Sequence, residues 1–113
     1  MNRIALVLML LATPASARNG EFLHAMCQSS DSSEFSAGFC LGAIGSIFQV
    51  MEGGKSINGM SACFPTDFGT KNAIDTVMKH LAASGNGATL NLQELNIPSA
   101  VAMIFWIEFR CDN

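Results

Sequence analysis

The chain has 113 residues, half of them hydrophobic, with six Lys and Arg against nine Asp and Glu and a net charge of −3. This length holds one small domain rather than two. Because the chain is mildly acidic and has no basic patch, nucleic acid and anionic membrane surfaces are disfavoured as partners, and a basic protein partner is favoured.

The N-terminus has the pattern of a secretory signal peptide. Residues 1–3 include one arginine, residues 4–11 are an unbroken apolar run, and residues 15–17 form an Ala-Ser-Ala cleavage pattern. A membrane anchor is the alternative, but the run is shorter than the roughly 20 residues that span a bilayer. We therefore expect export, cleavage after Ala17, and a single domain over residues 18–113 with a net charge of −4.

The first predicted helix covers residues 18–28. Leu23, Met26 and Cys27 recur on one face of it at helical spacing. The polar segment that follows, Ser-Ser-Asp-Ser-Ser over residues 29–33, competes with the backbone for hydrogen bonds and is typical of a helix N-cap.

The second predicted helix, residues 34–51, carries three glycines inside an apolar sequence. Its apolar stripe consists of Cys40, Ile44, Ile47, Phe48 and Met51. Gly38, Gly42 and Gly45 each cost a helix interior about 1 kcal/mol relative to alanine. They lie on one side of the helix, where small residues let another helix approach closely, so they predict a helix-packing surface within the domain or across a dimer. A Gly-Gly pair then ends the helix.

A loop over residues 53–66 contains Cys63 and Pro65, and a third helix starts at Thr66 or Thr70. The apolar stripe of this helix is formed by Ile74, Val77, Met78 and Leu81. The helix stops before Gly85, and the turn-rich segment over residues 84–89 is expected to be exposed.

The C-terminal part predicts a buried helix. Residues 90–95 are ambiguous between a short helical turn and an extended piece. Pro98 opens the last helix, since its missing N–H does no harm in the first turn. Residues 100–107 are apolar all round, which indicates burial in the fold or at a subunit interface. Together the segments predict an all-α fold, a small bundle of about four helices in one domain.

The four cysteines, Cys27, Cys40, Cys63 and Cys111, all follow the predicted signal. An even number in a small exported chain indicates two disulfides. Zinc is the alternative, but there is no Cys-x-x-Cys and neither histidine has metal-ligand spacing to a cysteine. No metal or cofactor is therefore expected.

Four cysteines allow three pairings. If the third and fourth helices are antiparallel, Cys63 before one comes near Cys111 after the other. Cys27 and Cys40 then meet across the serine-rich turn. The preferred pairs are therefore Cys27–Cys40 and Cys63–Cys111.

Catalytic residues are not predicted. A catalytic site needs a nucleophile, a base and a group that orients the base. Asp75 and His80 are five residues apart and do not share a helix face. Glu94 and Glu108 are isolated in the sequence, and the cysteines are expected to be oxidised. We therefore expect that the protein is not an enzyme.

A set of short motifs resembles a known exported family. The motifs are Cys40-Leu-Gly-Ala-Ile-Gly45, Cys63-Phe-Pro65, a helix ending in His80-Leu81, and a terminal apolar helix closing with Phe109-Arg-Cys111. Over residues 38–111 the chain resembles the Rap/Tai-type immunity proteins of bacterial type VI secretion.

The resemblance implies a small periplasmic helical protein, often a homodimer, that neutralises a peptidoglycan amidase effector by occluding its active-site groove. From the acidic composition, we expect no nucleic acid partner and no membrane partner after signal cleavage. The segment expected to enter the groove is polar, and its glycines permit close backbone approach. Its residues are Ser84, Gly85, Asn86, Gly87 and Thr89. The loop with Glu52 and Lys55 is a second candidate surface for binding the effector.

The alternative function is that of a small disulfide-stapled periplasmic chaperone or stress protein.

Overall fold

The computed structural model describes residues 19–84 and 91–111, and within them the secondary structure is helical. The elements in chain order are α1 (Asn19–Gln28), α2 (Glu34–Glu52), α3 (Thr70–Ser84), a 3-10 turn (Leu92–Glu94) and α4 (Ile97–Glu108). In these ranges the only β-type pairing is an isolated bridge between Ile57 and Met60. The predicted all-α bundle with two disulfides is confirmed. Residues 1–17 lie outside the described residues, so the signal peptide stays a prediction.

Polar side chains start two of the helices. Ser33 Oγ accepts a hydrogen bond from the Ser36 N–H at 3.2 Å, as expected for the serine-rich break. Asn96 Oδ1 accepts from the Ser99 N–H at 2.9 Å, so α4 begins one residue before Pro98. Each side-chain oxygen satisfies a backbone donor that the helix itself cannot pair.

Three further boundaries remain: the end of α2, which lies at a glycine turn, and two segments for which the sequence allowed alternatives, the start of α3 and the segment before α4. α2 ends at Glu52, and the chain turns at Gly54, whose φ of 89° lies in the left-handed region. α3 starts at Thr70 rather than at Thr66. The ambiguous segment before α4 contains the 3-10 turn, which is a short helical piece.

Helix α4 fills the centre of the bundle and contacts α1, α2 and α3. Its fully buried residues are Ala100, Val101, Ala102, Ile104 and Phe105. The other helices contribute Leu23, Ile44, Val77 and Leu81, which are also fully buried. The predicted burial holds for these five residues, but Met103 is half-buried and the last turn reaches the surface, where Ile107 is 43% exposed.

By length and composition alone, α2 is apolar enough to cross a membrane. Its stripe of Cys40, Ile44, Phe48 and Met51 is buried inside the bundle. A disulfide also ties α2 to α1. We therefore interpret α2 as a core helix whose apolar composition serves the packing of the bundle.

The predicted packing of three glycines within the domain is wrong for two of them. Gly38 and Gly42 are exposed, and a Cβ added at either would meet no atom within 4 Å. Gly45 is buried, and its Cβ position lies 3.5 Å from Thr70 Cγ2 at the start of α3. The three glycines share an arc of about 60° on the helix surface, and α3 covers only the edge where Gly45 lies.

Gly20 makes the kind of close backbone approach that the sequence predicts for the glycines of α2. Its N–H donates to the Leu95 carbonyl at 2.9 Å, and a Cβ at this position would overlap the Leu92 carbonyl oxygen. The first turn of α1 therefore packs directly on the backbone of the 3-10 turn, which is possible only without a side chain.

Candidate functional site

Both disulfides have the preferred pairing. The Cys27–Cys40 bond joins α1 to α2, with its Cα atoms 5.0 Å apart. The Cys63–Cys111 bond joins the loop between α2 and α3 to the segment after α4, also with a Cα separation of 5.0 Å. Disulfides form and persist in oxidising compartments, so the two bonds indicate an exported protein.

A tight hairpin lies in the loop between α2 and α3. The N–H of Ile57 donates to the Met60 carbonyl and the N–H of Met60 donates to the Ile57 carbonyl, both at 2.9 Å. Between them, Asn58 has a φ of 52° and Gly59 a φ of 79°, and both residues are exposed. Two successive left-handed residues of the type Asn-Gly form the turn whose twist suits a two-residue hairpin. We call residues 57–60 the Asn-Gly hairpin.

The sequence contained a signal for this hairpin that we did not use. An Asn-Gly pair between two apolar residues, Ile57 and Met60, is the strongest short-range hairpin pattern. The prediction from the sequence instead assigns residues 53–66 to one undivided loop. The strand-like pairing is a single bridge, too short to produce an alternating pattern of apolar and polar residues.

Two hydrogen bonds hold the hairpin loop against the last helix. At the tip, Asn58 Nδ2 donates to Ser99 Oγ in the first turn of α4, at 3.1 Å. Beyond the hairpin, the Cys63 N–H donates to the Phe109 carbonyl at 2.7 Å, beside the Cys63–Cys111 disulfide. The loop is therefore attached to both ends of α4 while its polar tip stays exposed.

Aromatic side chains of the same loop pack against α2 and against the segment after α4. The rings of Phe64 and Phe68, which follow the hairpin, lie 4.9 Å and 5.8 Å from the ring of Phe48 on α2. Phe68 also lies 4.7 Å from Phe109, after α4. Edge-on and tilted aromatic contacts at these distances stabilise the packing beyond the area that they bury.

The segment predicted to enter the amidase groove is corrected at its first residue. Ser84 is buried at the end of α3, and its Oγ accepts a hydrogen bond from the Leu92 N–H. Its side chain therefore belongs to the scaffold. Gly85, Asn86, Gly87 and Thr89 lie outside the described residues, so their binding role stays a prediction.

The second candidate surface is exposed. Glu52 ends α2, and Lys55 lies two residues before the Asn-Gly hairpin; both side chains are exposed, as are Ser56 and Ser61. Of the two predicted surfaces, the loop after α2 is therefore the one whose geometry can be described. We take this loop, with the Asn-Gly hairpin at its tip, as the candidate site.

His80 and Glu108 form a pair that the sequence reasoning missed. His80 Nε2 on α3 lies 2.7 Å from Glu108 Oε1 at the end of α4. This hydrogen bond holds the pKa of the Glu108 carboxyl below its ordinary value of 4.5, against a smaller opposing effect of desolvation; the charges of His80 and Lys79 also lower it. No sequence signal connects two polar residues 28 positions apart on different helices. The pair joins the ends of α3 and α4.

Among the described residues, no group of three or more His, Cys, Asp or Glu side chains is arranged to hold a metal ion. Of the other titratable residues weighed as catalytic candidates, Asp75 lies on α3 and Glu94 on the 3-10 turn; the second histidine, His24, lies on α1. No family model, curated protein or solved structure matches the chain.

Proposed function

We propose that this protein is a periplasmic immunity protein that binds a peptidoglycan amidase effector of type VI secretion and inhibits it by occluding the active-site groove. Two observations support the proposal. One is the resemblance of the cysteine and glycine motifs over residues 38–111 to the Rap/Tai-type family. The other, which carries the proposal, is the tethered and exposed Asn-Gly hairpin.

A hairpin of this kind is suited to blocking a cleft. Its two tip residues are small and polar, so the backbone itself can approach the walls of a narrow groove. The hydrogen bonds to Ser99 and Phe109 hold the loop in one conformation before binding. Binding by a preorganised loop avoids most of the entropy cost of ordering it, and this raises affinity.

Neutralisation of a toxic amidase tests the proposal directly. The probe is a Cys/His amidase encoded beside the gene of this protein and targeted to the periplasm of a sensitive strain. We expect co-expression of the full chain to restore growth, and the purified amidase to bind the purified protein. Continued killing in cells that accumulate the protein, together with no binding in vitro, would contradict the proposal.

The contribution of the hairpin loop is tested with matched charge reversals. Lys55→Glu changes the exposed loop beside the hairpin, and Lys71→Glu makes the same change at an exposed position of α3. We expect the first variant to change the affinity for the amidase more than the second, with equal melting temperatures. Equal effects would remove the hairpin loop from the interface.

The segment over residues 84–89 is tested separately. Replacing Asn86 and Thr89 with bulky charged residues changes this segment and leaves the hairpin intact. If that variant alone loses affinity for the amidase, the amidase contacts residues 86–89 and not the hairpin.

A further inference from the structure

The chain contains three Asn-Gly pairs, at residues 19–20, 58–59 and 86–87. In such a pair the asparagine side chain reacts readily with the next backbone nitrogen, because glycine has no side chain to shield that nitrogen. The pairs at 19–20 and 58–59 lie among the described residues, and the third lies outside them. The two described pairs have the same chemistry in opposite environments, so the fold determines which of them reacts.

The reaction is a cyclisation that releases ammonia. Hydroxide removes the proton of the glycine N–H, and the nitrogen attacks Cγ of the preceding asparagine, so that a new C–N bond forms. The bond between Cγ and Nδ2 then breaks, and Nδ2 leaves as ammonia with a proton from water, which regenerates hydroxide. Water opens the resulting cyclic imide at either of its carbonyls, and the products are aspartate and isoaspartate. Water is the only co-reactant.

In the Asn-Gly hairpin the attacking nitrogen is available. The two backbone hydrogen bonds of the hairpin are donated by Ile57 and Met60, so the Gly59 N–H takes no part in them. Asn58 and Gly59 are both exposed, and a Cβ added to Gly59 would meet no atom within 4 Å. Hydroxide and water therefore reach both the nitrogen and the side chain that it attacks.

At residues 19–20 the corresponding nitrogen is occupied. Gly20 is buried, and its N–H donates to the Leu95 carbonyl at 2.9 Å. A Cβ at Gly20 would overlap the Leu92 carbonyl oxygen, so the backbone of the 3-10 turn lies directly against this residue. Attack by the Gly20 nitrogen therefore requires the first turn of α1 to separate from the 3-10 turn.

The side chain of Asn58 is restrained by α4. Its Nδ2 donates to Ser99 Oγ at 3.1 Å, so the carboxamide is held on the first turn of α4. Attack requires Cγ of Asn58 to turn back onto its own backbone, and Nδ2 is the atom that leaves. The hydrogen bond to Ser99 must therefore break before the ring closes.

We propose that Asn58 is a site of spontaneous deamidation in the folded protein, and that its hydrogen bond to Ser99 sets the rate. Conversion to aspartate removes the Nδ2 donor and places a negative charge at the tip of the hairpin. Conversion to isoaspartate also routes the main chain through Cβ and Cγ, which lengthens the turn between Ile57 and Met60 and breaks the register of their hydrogen bonds. The inference does not rest on amidase binding.

Peptide mapping of the purified, folded protein after incubation in mildly alkaline buffer tests the inference. Cleavage after Lys and Arg places the three Asn-Gly pairs in different peptides, so mass spectrometry follows each one separately. We expect Asn58 to become the acid at least about fivefold faster than Asn19, with both aspartate and isoaspartate as products. The matched control is the same chain reduced and unfolded in urea, in which Asn58 and Asn19 should react at similar rates.

A variant tests the role of Ser99. Ser99→Ala removes the acceptor, and we expect deamidation of Asn58 to become about two- to tenfold faster, the factor that corresponds to the loss of one hydrogen bond. Ser61→Ala, at an exposed position near the hairpin, is the control and should leave the rate unchanged. Circular dichroism checks that both variants keep the helical fold.

Three results would overturn the inference. One is that Asn58 in the folded protein stays an amide or reacts no faster than Asn19. Another is that the product contains aspartate but no isoaspartate, since direct hydrolysis of the side chain gives aspartate alone. The third is that Ser99→Ala and Ser61→Ala react at equal rates, which would remove the role of the hydrogen bond. These rates are measured without the amidase, so this inference and the proposed function can fail separately.

Discussion

Asn58 and Ser99 are 41 residues apart in the chain, and their side chains meet in a hydrogen bond of 3.1 Å from Asn58 Nδ2 to Ser99 Oγ. Asn58 is at the tip of the hairpin and Ser99 is in the first turn of α4. A tip held at this point keeps the hairpin beside the bundle core. The contact gives a measurable link between the exposed loop and the helix that fills the centre of the fold.

Removing the acceptor of this hydrogen bond should loosen the hairpin without unfolding the protein. Ser99→Ala keeps the backbone N–H that Asn96 caps, and we expect a loss of about 0.5–1.5 kcal/mol in unfolding free energy. Amide hydrogen exchange at Ile57 and Met60 should become faster. Ser61→Ala, an exposed change near the hairpin, is the control. Equal exchange rates in the two variants would show that Ser99 does not hold the tip.

Replacing glycine with alanine should lower the unfolding free energy at one site and raise it at another. A Cβ at Gly20 would overlap backbone of the 3-10 turn, so we expect Gly20→Ala to lower the unfolding free energy by about 1–3 kcal/mol. The same change at Gly38 meets open space, and we expect it to raise the unfolding free energy by up to about 1 kcal/mol. Urea denaturation measures both. A Gly20→Ala variant as stable as the original protein would contradict the close approach at α1.

The two disulfides should differ in their contribution to stability. They join residues 13 and 48 positions apart. Loop-closure entropy predicts losses of about 3 and about 4 kcal/mol when each pair is replaced by alanine. Chemical denaturation of the two double variants measures the difference, and a larger loss from the Cys27–Cys40 pair would contradict the entropic account.

Acid should weaken the contact between α3 and α4. The pKa of Glu108 is lowered in the folded protein, chiefly by the hydrogen bond to His80. The folded state therefore binds the Glu108 proton less readily than the unfolded state does. The resulting stabilisation is present above the ordinary pKa of 4.5 and is lost as the pH falls through the lowered value.

Glu108→Gln isolates this effect. We expect the original protein to melt above the variant at neutral pH, and the difference to shrink as the pH falls below about 4.5. Glu94→Gln, at an exposed position of the 3-10 turn, is the control. A difference between the original protein and Glu108→Gln that is constant over the whole pH range would show that the charge of Glu108 does not contribute.

Sequence reasoning worked where the determining interactions are local or repeat along a helix. The stripe from Cys40 to Met51 repeats at helical spacing, and Ser33 caps the residues that directly follow it. The Cys63–Cys111 pairing is predicted from the antiparallel arrangement expected of two helices joined by a short connection, and this disulfide is present. Each of these depends on spacing that can be read from the chain.

The reasoning failed where a neighbour distant in sequence decides the outcome. Gly38 and Gly42 were correctly assigned to one side of α2, but periodicity does not identify which helix covers that side. Ser84 lies next to a turn-rich segment, and the Leu92 N–H eight residues later accounts for its burial. His80 and Glu108 meet only because α3 and α4 pack together.

The disulfides divide the chain into two covalent rings that do not overlap, residues 27–40 and residues 63–111. The Asn-Gly hairpin lies between the rings. A single cleavage within either ring leaves the polypeptide in one piece, whereas a single cleavage at the hairpin divides it into two pieces with no covalent bond between them. At this exposed turn the covalent continuity of the chain therefore depends on the backbone alone. After such a cleavage, non-covalent contacts, the hydrogen bond from Asn58 to Ser99 among them, would be all that joins the two pieces.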